Sequence, residues 1–216
     1  LIAVPNNCSD NTPELAENYA KGKTHIRVHN IPYFVGKGGA VIEGFKIAKG
    51  DLVGFVDADL ATGPRAFFDL YKNIGNYDAI LASRWIKGAR ISVKQSIPRR
   101  VVSRGFNILV RSFFGIPVRD TQCGAKLFKK DAVEKVIPYL DITKWAFDID
   151  LLFHIKRNGY TMKEIPTTWH EPGGTHLDIK KTSIEMFLAI TRLRLVYSPF
   201  RFVVRLYDAT FGKKSA

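Results

Sequence analysis

The chain has 216 residues, an apolar share of 46% and two cysteines, enough for one sizeable α/β domain with a full core. No apolar run reaches the length of about eighteen residues that a spanning helix needs, and two cysteines exclude a disulfide framework. The net charge of +13, from 33 basic and 20 acidic residues, predicts a polyanionic partner.

Strands and helices alternate along the first part of the chain. The residue pattern predicts strands at residues 1–4, 26–29, 52–56 and 77–83, with helices at 13–21, 40–48 and 65–73. Such alternation is typical of βαβ units, so we predict an α/β fold with a mostly parallel sheet.

The second part of the chain is richer in helices. We predict a polar loop at residues 87–96, an amphipathic helix at 98–114, and a strand at 125–128. Further helices are expected at 131–137, 146–157 and 179–197, with a short one after Pro199. The strand at 162–169 contains Pro166, which favours an edge position in the sheet.

Two carboxylates one residue apart, Asp57 and Asp59, follow the apolar run at residues 52–56. That run has the composition of a buried parallel strand, and ligands bind at the carboxyl ends of such strands. Carboxylates there suit Mg²⁺ or Mn²⁺, which take hard oxygen ligands from protein and phosphate. The glycines of G-K-G-G at 36–39 precede a helix and could contact phosphate through backbone N–H groups.

The positive charge is concentrated in two segments. Residues 79–119 carry nine basic residues and no acidic one, and residues 180–216 carry eight basic and two acidic residues. Arginine outnumbers lysine in the first segment, which favours phosphate as its ligand because guanidinium groups bind phosphate in a bidentate manner.

Several motifs together resemble those of the family 2 glycosyltransferases, in particular the polyprenyl-phosphate (dolichyl-phosphate) mannose and glucose synthases. They run in the family order and cover nearly the whole chain. The motifs are S-D-N-T at 9–12, G-K-G-G at 36–39, D-A-D at 57–59, R-R-x-x-S-R-x-x-N at 99–107, D-T-Q-C-G-x-K at 120–126 and F-D-I-D at 147–150.

The resemblance implies a GT-A fold over residues 1–176, with the first strand of the family missing ahead of Leu1, followed by amphipathic helices over 177–216. It implies inverting transfer of a hexose from a nucleotide sugar, UDP-glucose or GDP-mannose, to a polyprenyl or dolichyl phosphate, a reaction of protein glycosylation. Mg²⁺ or Mn²⁺ would be the cofactor.

Site residues follow from the resemblance position by position. Asp57 and Asp59 would hold the metal ion and the donor, and Asp120 and Gln122 would be catalytic. Further donor contacts would come from Asn6, Asp10, Gly36 and Lys37. The acceptor phosphate would be bound by Arg84, Arg99, Ser103 and His176.

This sequence departs from the family pattern at four places. Nothing ahead of Leu1 corresponds to the P-x-Y-N-E strand, and the usual D-D-G-S is replaced by P-N-N-C at residues 5–8. Ala61 stands where many members carry glutamine, and G-T-H at 174–176 replaces a Gly-Ser-Lys turn.

The chemistry leaves alternatives open. A phosphate acceptor is already anionic near neutral pH and needs no base, only cations that place it for attack. A hydroxyl acceptor would need a general base, for which Asp120 is the candidate. A third hypothesis is an inactive module that binds anionic lipid or nucleic acid, although the basic segments lack motifs that read nucleic acid.

The last helices combine aromatic and aliphatic side chains with arginine, as interfacial helices do. We therefore expect peripheral attachment to an anionic membrane surface, on the cytoplasmic face, and no nucleic-acid partner.

Overall fold

The computed structural model describes residues 1–92, 97–141, 146–170 and 179–211, without the side chains of 97–102, 179–182, 207–208 and 211. Helices α1 to α8 lie at Thr12–Ala20, Gly36–Ile47, Pro64–Asn73, Ile97–Phe114, Lys130–Val136, Phe147–Arg157, Ile179–Val196 and Arg201–Phe211. Strands β1 to β8 lie at Ile2–Ala3, Arg27–Val28, Leu52–Val56, Ala79–Ser83, Arg90–Ile91, Ala125–Lys129, Met162–Pro166 and Thr168–Trp169.

The main sheet has four strands in the order β3-β6-β4-β7. Strand β6 is antiparallel to both β3 and β4, whereas β7 is parallel to β4. Three of its four strands therefore share one direction, which confirms the prediction of a mostly parallel sheet. The reversed direction of β6 was not predicted. Two short parallel pairs, β1-β2 and β5-β8, lie beside it.

Strand β3 differs from the sequence expectation of a strand buried on both faces. Val53 and Phe55 are buried, but Val56 is 42% exposed, and β3 ends the strand order of its sheet. The fully buried strand is instead β4, whose five residues are all buried because a hydrophobic cluster covers each of its two faces. The prediction of an edge position for the Pro166 strand is confirmed, since β7 is the other end of the order.

The main hydrophobic core lies on one face of this sheet. Phe147 and Leu151 of α6, Val110 of α4 and Ile190 of α7 are buried there in one cluster that also contains residues of β3 and β6. A smaller core on the opposite face is formed by α3, with Leu70 and Ile74 packed against Ile80 and Leu127. Helix α7 is therefore part of the core, while no helix of the described residues has the length and apolar character needed to cross a membrane.

Element boundaries shift at three places for local reasons. Helix α2 begins at Gly36, so the glycines form its first turn. The predicted helix at 131–137 begins at Lys130 and ends at Val136, where Pro138 redirects the chain into a 3-10 turn at Ile137–Tyr139. Within the predicted loop at 87–96, β5 pairs with β8, and residues 93–96 lie outside the described residues.

Gly54 in β3 lies where a larger residue would meet the backbone of the neighbouring strand. A Cβ there would overlap the Lys126 carbonyl oxygen and approach the Phe67 ring to 2.9 Å. Gly54→Ala is therefore expected to lower the free energy of unfolding by about 2 kcal/mol, measured by urea denaturation. Gly105→Ala on α4, where a Cβ meets nothing within 4 Å, is the control and should be neutral or stabilising. Equal losses in both variants would contradict this packing.

Candidate active site

The D-x-D carboxylates lie in a tight turn directly after β3. Asp57 donates its backbone N–H to the Gly124 carbonyl at 2.8 Å, which continues the pairing of β3 with β6. Asp59 accepts a 3.0 Å hydrogen bond from the Ala61 N–H, and Leu60 between them has a φ of +58°. The side chain of Asp57 is 29% exposed and Asp59 is exposed, so both carboxylates remain open to a ligand.

Gly124 allows the Asp57 carboxylate to lie against the neighbouring loop. A Cβ built on Gly124 would overlap that carboxylate. The motif D-T-Q-C-G-x-K thus supplies a backbone surface that only glycine can offer here. The glycine of this motif and the first aspartate of D-x-D, 67 positions apart in sequence, are parts of one site.

Four charged side chains of alternating sign run from this turn into the core, and we call them the charge row: Asp57, Lys37, Asp148 and Lys126. The Lys37 ammonium lies 2.9 Å from Asp57 Oδ1 and 3.1 Å from Asp148 Oδ2. Lys126 Nζ donates to Asp148 Oδ1 at 2.5 Å and to the Cys123 carbonyl at 2.7 Å. Asp148 and Lys126 are buried, and these contacts give each side chain a partner of opposite charge, as buried charges require.

The charge row shifts the titration of its own members. Burial would lower the pKa of Lys37, but the carboxylates of Asp148 and Asp57 outweigh it and raise that pKa above its ordinary value. Burial would raise the pKa of Asp148, but Lys126 and Lys37 hold it below its ordinary value. Lys37 is therefore a fixed positive charge at neutral pH.

The first turn of α2 places Lys37 beside the D-x-D turn. Gly36 has a φ of +70°, and Gly36, Gly38 and Gly39 are all buried. A Cβ on Gly38 would overlap the ring of Phe147, so the glycine lets α2 approach α6, where Asp148 follows. The G-K-G-G motif thus brings a lysine to the site and forms the N-terminal turn of α2, whose N–H groups have no partner within the helix.

Asp120 is fully buried and forms a bidentate ion pair with Arg84. Its Oδ2 accepts from Arg84 Nε at 2.7 Å, and its Oδ1 accepts from Arg84 Nη2 at 2.9 Å. It also accepts from the backbone N–H groups of Arg84 at 2.9 Å and Gln122 at 3.3 Å. Burial would lower the pKa of Arg84, but Asp120 outweighs it and raises that pKa.

Two polar side chains fix the loop that carries Asp120. Asn107 of α4 accepts from the N–H of Thr121 at 3.2 Å and from its hydroxyl at 3.0 Å, and donates to the Ser103 carbonyl at 3.0 Å. Glu164 of β7 accepts from the Arg119 N–H at 2.5 Å. The R-R-x-x-S-R-x-x-N and D-T-Q-C-G-x-K motifs are therefore joined through Asn107.

Tryptophan rings surround the Arg84 guanidinium. The Arg84 Cζ lies 5.6 Å from the ring centroids of both Trp85 and Trp169. The Cζ of Arg104 lies 5.1 Å from the ring centroid of Trp85. Trp169 is buried, and its neighbour His170 donates its N–H to the Ala61 carbonyl at 2.8 Å. The end of β8 thus connects the D-x-D turn with Arg84.

The other predicted site residues fall in three places. Asn6 is half-buried beside the start of α2, where its Oδ1 accepts from the Val35 N–H at 3.5 Å. Asp10 is exposed and accepts from the Thr12 N–H at 3.1 Å, at the start of α1. Gln122 is half-buried, with its amide nitrogen 3.8 Å from Met186 Sδ.

The acceptor-side predictions are only partly described. Ser103 is half-buried on α4, one turn before Asn107. Arg99 lies in the first turn of α4, with its side chain outside the described residues, and His176 lies outside them altogether. Of the two predicted phosphate ligands whose side chains the structure describes, Arg84 is held in an ion pair and Ser103 contributes its backbone carbonyl to Asn107.

Sequence reasoning assigned no role in the site to Lys126 or to Asp148. The available signal was a lysine within the apolar strand A-K-L-F and an aspartate at the start of an apolar helix. Cys123 of the D-T-Q-C-G-x-K motif is buried, and burial raises the pKa of its thiol to about 11. That thiol is a poor nucleophile.

The residues of the D-x-D turn fit a divalent metal ion. The Lys37 ammonium at 2.9 Å shows that Asp57 already accepts a cation at this position. Within the described residues no group of three or more His, Cys, Asp or Glu side chains is arranged to hold a metal. Asp57 and Asp59 would therefore share Mg²⁺ or Mn²⁺ with phosphate oxygens of a ligand and with water, as is common for these ions.

Comparison with known proteins identifies close relatives of this sequence. The chain is 34% identical over 194 residues to the glycosyltransferase AglD of Haloferax volcanii, covering 89% of this chain and 31% of that protein. It is 31% identical to a dolichyl-phosphate beta-glucosyltransferase of Dictyostelium discoideum, covering 91% and 63%, and 30% identical to the human protein of that name, covering 91% and 64%. The chain thus spans about one third to two thirds of the length of these relatives.

Solved structures show the same fold. The glucosyl-3-phosphoglycerate synthase of Mycobacterium tuberculosis, in complex with Mn²⁺ and UDP-glucose, superimposes with a TM-score of 0.62 at 16% identity, covering 90% of this chain and 67% of that one. Its complex with Mn²⁺, UDP and phosphoglyceric acid gives a TM-score of 0.63 at 18% identity. The fold is therefore the GT-A fold that the sequence resemblance implies.

The sequence model of one family covers most of the chain. The model described as glycosyl transferase family 2 matches residues 1–137, which include G-K-G-G, D-x-D and D-T-Q-C-G-x-K. The charge row and the Asp120–Arg84 pair are built largely from these residues. The chain belongs to glycosyl transferase family 2.

Proposed function

We propose that this protein transfers glucose from UDP-glucose to a dolichyl or other polyprenyl phosphate, with inversion at the anomeric carbon and with a divalent metal ion. The observation that carries the proposal is the site itself, in which D-x-D and a fixed lysine adjoin a buried arginine–aspartate pair. The names of the dolichyl-phosphate beta-glucosyltransferase relatives favour glucose and a dolichyl acceptor.

The donor side must hold a diphosphate and stabilise it as it leaves. A divalent ion bound by Asp57 and Asp59 would neutralise negative charge on the leaving nucleoside diphosphate. Lys37 adds a fixed positive charge beside Asp57, and the α2 N-terminus offers backbone N–H groups. Asn6, close to that helix start, would contribute to nucleotide binding.

The acceptor side favours a phosphate over a hydroxyl. Both oxygens of Asp120 already accept hydrogen bonds, four in all from Arg84 and the Gln122 N–H. A carboxylate so engaged has no readily available lone pair with which to take a proton. A phosphate oxygen needs no base, and it can attack the anomeric carbon directly as the bond from that carbon to the diphosphate breaks.

Arg84 would serve the acceptor through the part of its guanidinium that Asp120 leaves open. Nε and Nη2 are used in the ion pair, and the rings of Trp85 and Trp169 limit movement of the plane. The Nη1 edge is then the group that would meet a phosphate. Arg99, Ser103 and His176 remain proposed partners in that contact, as the resemblance implies, and Gln122 remains a proposed catalytic residue.

The test is sugar transfer by the full-length protein. UDP-glucose and GDP-mannose are offered separately with Mn²⁺ and a short-chain polyprenyl phosphate, and the glycolipid is identified by mass. A glucolipid formed from UDP-glucose and lost with EDTA supports the proposal. A mannolipid formed from GDP-mannose would identify that nucleotide sugar as the donor instead. Binding of anionic lipid or nucleic acid without sugar transfer would favour the inactive module.

Membrane attachment through residues 177–216 belongs to this proposal. Helix α8 exposes Phe202 (61%), Val203 (44%) and Leu206 (67%), together with Arg201 and Arg205. Apolar side chains beside cations match the acyl boundary and headgroups of an anionic bilayer, where the lipid acceptor would reside. We place this surface on the cytoplasmic face.

Replacing Phe202 and Leu206 together by serine is expected to weaken binding to anionic vesicles at least about tenfold, because two inserting side chains are lost. Co-sedimentation with phosphatidylserine vesicles measures this, and neutral phosphatidylcholine vesicles should bind less. Leu15→Ser is the control, since Leu15 is 59% exposed on α1 and should not affect binding. Equal binding by the double variant and the parent protein would contradict α8 as the membrane contact.

A further inference from the structure

The inner half of the charge row consists of Asp148 and Lys126, which are buried on the core side of Lys37. The side chain of Asp148 is 3% exposed and that of Lys126 is 0% exposed. A buried ion pair of this kind contributes little net stability, because desolvation of two charges offsets their attraction. The stability of the fold therefore does not by itself explain why this ion pair contacts Lys37.

The two oxygens of Asp148 bind different lysines from different segments. Oδ2 holds Lys37 of α2 at 3.1 Å, and Oδ1 holds Lys126 of β6 at 2.5 Å. The ring of Phe55 lies 5.6 Å from the first ammonium and 5.3 Å from the second, so it fills the space between them and the core. Asp148 thus joins the glycine turn of α2 to the strand that follows the Asp120 loop.

Lys37 has two carboxylate partners, and a metal ion would compete for one of them. A divalent cation on Asp57 would weaken the attraction between Asp57 and the Lys37 ammonium and repel that ammonium. Asp148 is buried away from the exposed turn and keeps its full charge. It is the partner that would hold Lys37 in place when Asp57 is occupied.

We propose that Asp148 is a positioning residue that anchors Lys37 for contact with the nucleotide diphosphate while Asp57 binds the metal ion. This inference rests on the proposed function, because it assumes that a nucleotide diphosphate and a metal ion bind here. Lys126 then serves Asp148 by fixing its other oxygen.

A purely structural role for Asp148 makes a different prediction. Asp148 would then be present only to neutralise the buried Lys126, and Lys37 would be an incidental neighbour. The charge row contains two carboxylates and two ammonium groups. Asp148→Asn leaves the charge row with one more positive than negative charge. The double variant Asp148→Asn with Lys126→Met makes the two numbers equal again, and it removes the buried lysine that needed a partner.

The experiment measures UDP affinity by calorimetry at saturating Mn²⁺, Mn²⁺ affinity by electron paramagnetic resonance, and the melting temperature, all on the full-length protein. We expect Asp148→Asn to weaken UDP binding about tenfold or more, since a charge-assisted hydrogen bond to Lys37 is lost. Any loss of melting temperature or Mn²⁺ affinity in Asp148→Asn should be reversed in the double variant, whereas its UDP affinity should stay low. Asp78→Asn, which alters a partly exposed ion pair with Lys129, should leave UDP affinity unchanged.

Two results would overturn the inference. One is UDP binding by Asp148→Asn that equals the parent protein, and the other is recovery of UDP affinity in the double variant, which would show that Asp148 only neutralises Lys126. If Asp148→Asn alone does not fold, the double variant decides between the two roles. Failure of the parent protein to bind UDP with Mn²⁺ is a separate result, which would remove the proposed function and this inference with it.

Discussion

Replacing Asp57 by asparagine is expected to lower sugar transfer by about three orders of magnitude while leaving the protein folded. The amide has nearly the same shape as the carboxylate and fits the space beside Gly124. It loses the negative charge that a divalent ion requires, and Lys37 is left with Asp148 as its remaining carboxylate. The rate is measured with UDP-glucose, Mn²⁺ and polyprenyl phosphate, and folding is measured by circular dichroism.

A matched control is available at the other end of the same strand. Asp51 is exposed immediately before β3, and Asp51→Asn removes one negative charge at a distance from the D-x-D turn. Its rate should stay within about twofold of the parent protein, because exposed charges at a distance are screened by salt. Similar rates in Asp57→Asn and Asp51→Asn would show that Asp57 does not hold the metal ion.

The second large effect is expected at Asp120, where asparagine should lower the free energy of unfolding by about 3 kcal/mol and also impair transfer. An asparagine oxygen can replace only one of the two carboxylate oxygens. In the place of Oδ2 it would still accept from the backbone N–H and Nε of Arg84, but the amide group would then face Arg84 Nη2 and the Gln122 N–H, which are both donors. Arg84 is only 13% exposed, so its charge would remain buried without a counter-charge. Urea denaturation measures the loss.

Two further variants separate this pair from ordinary ion pairs. Glu134→Gln removes an exposed partner of Lys130 and should change the free energy of unfolding by no more than about 0.5 kcal/mol. Arg84→Met combined with Asp120→Asn removes both charges, so it should recover part of the stability without recovering transfer. If Asp120→Asn is as stable as the parent protein, the buried pair does not exist as described.

The fold could be predicted largely from the sequence because its signals are local. Apolar runs and glycine or proline boundaries indicate β3, β4 and α3, and the amphipathic spacing at 98–114 indicates α4, which begins one residue earlier. Strand direction is not a local property. The apolar residues of β6 do not show that it runs against β3 and β4, nor that β3 pairs on only one side.

The site residues that belong to recognisable motifs could be predicted from the sequence. Those whose role depends on contacts between distant parts of the chain could not. Asp57 follows β3, and Asp120 begins the D-T-Q-C-G-x-K motif ahead of β6, which marks both as site candidates. Lys126 and Asp148 are 22 positions apart, and their pairing depends on how α6 packs against β6. The approach of α2 to α6 depends in turn on Gly38, because a larger residue there would overlap the ring of Phe147.

Two of the departures from the family pattern, at Asn6 and Ala61, lie close to the candidate site. Asn6 belongs to the segment that replaces the family's usual D-D-G-S, and it lies beside the start of α2, where its amide oxygen accepts from the Val35 N–H. Ala61 is buried and its carbonyl accepts from His170, so the turn after D-x-D is fixed by backbone contacts. Both positions are candidates for influencing donor choice.

The central claim is that the acceptor is a phosphate and that Asp120 orders Arg84 instead of acting as a base. The most direct test offers the parent protein UDP-glucose and Mn²⁺ with a polyprenyl phosphate or with the polyprenol of the same chain length, and compares kcat/KM by mass spectrometry of the products. The phosphate should be used at least about a hundredfold better, because the alcohol needs a base that this site does not supply. Equal or better glucosylation of the alcohol would contradict the account and return Asp120 to the role of general base.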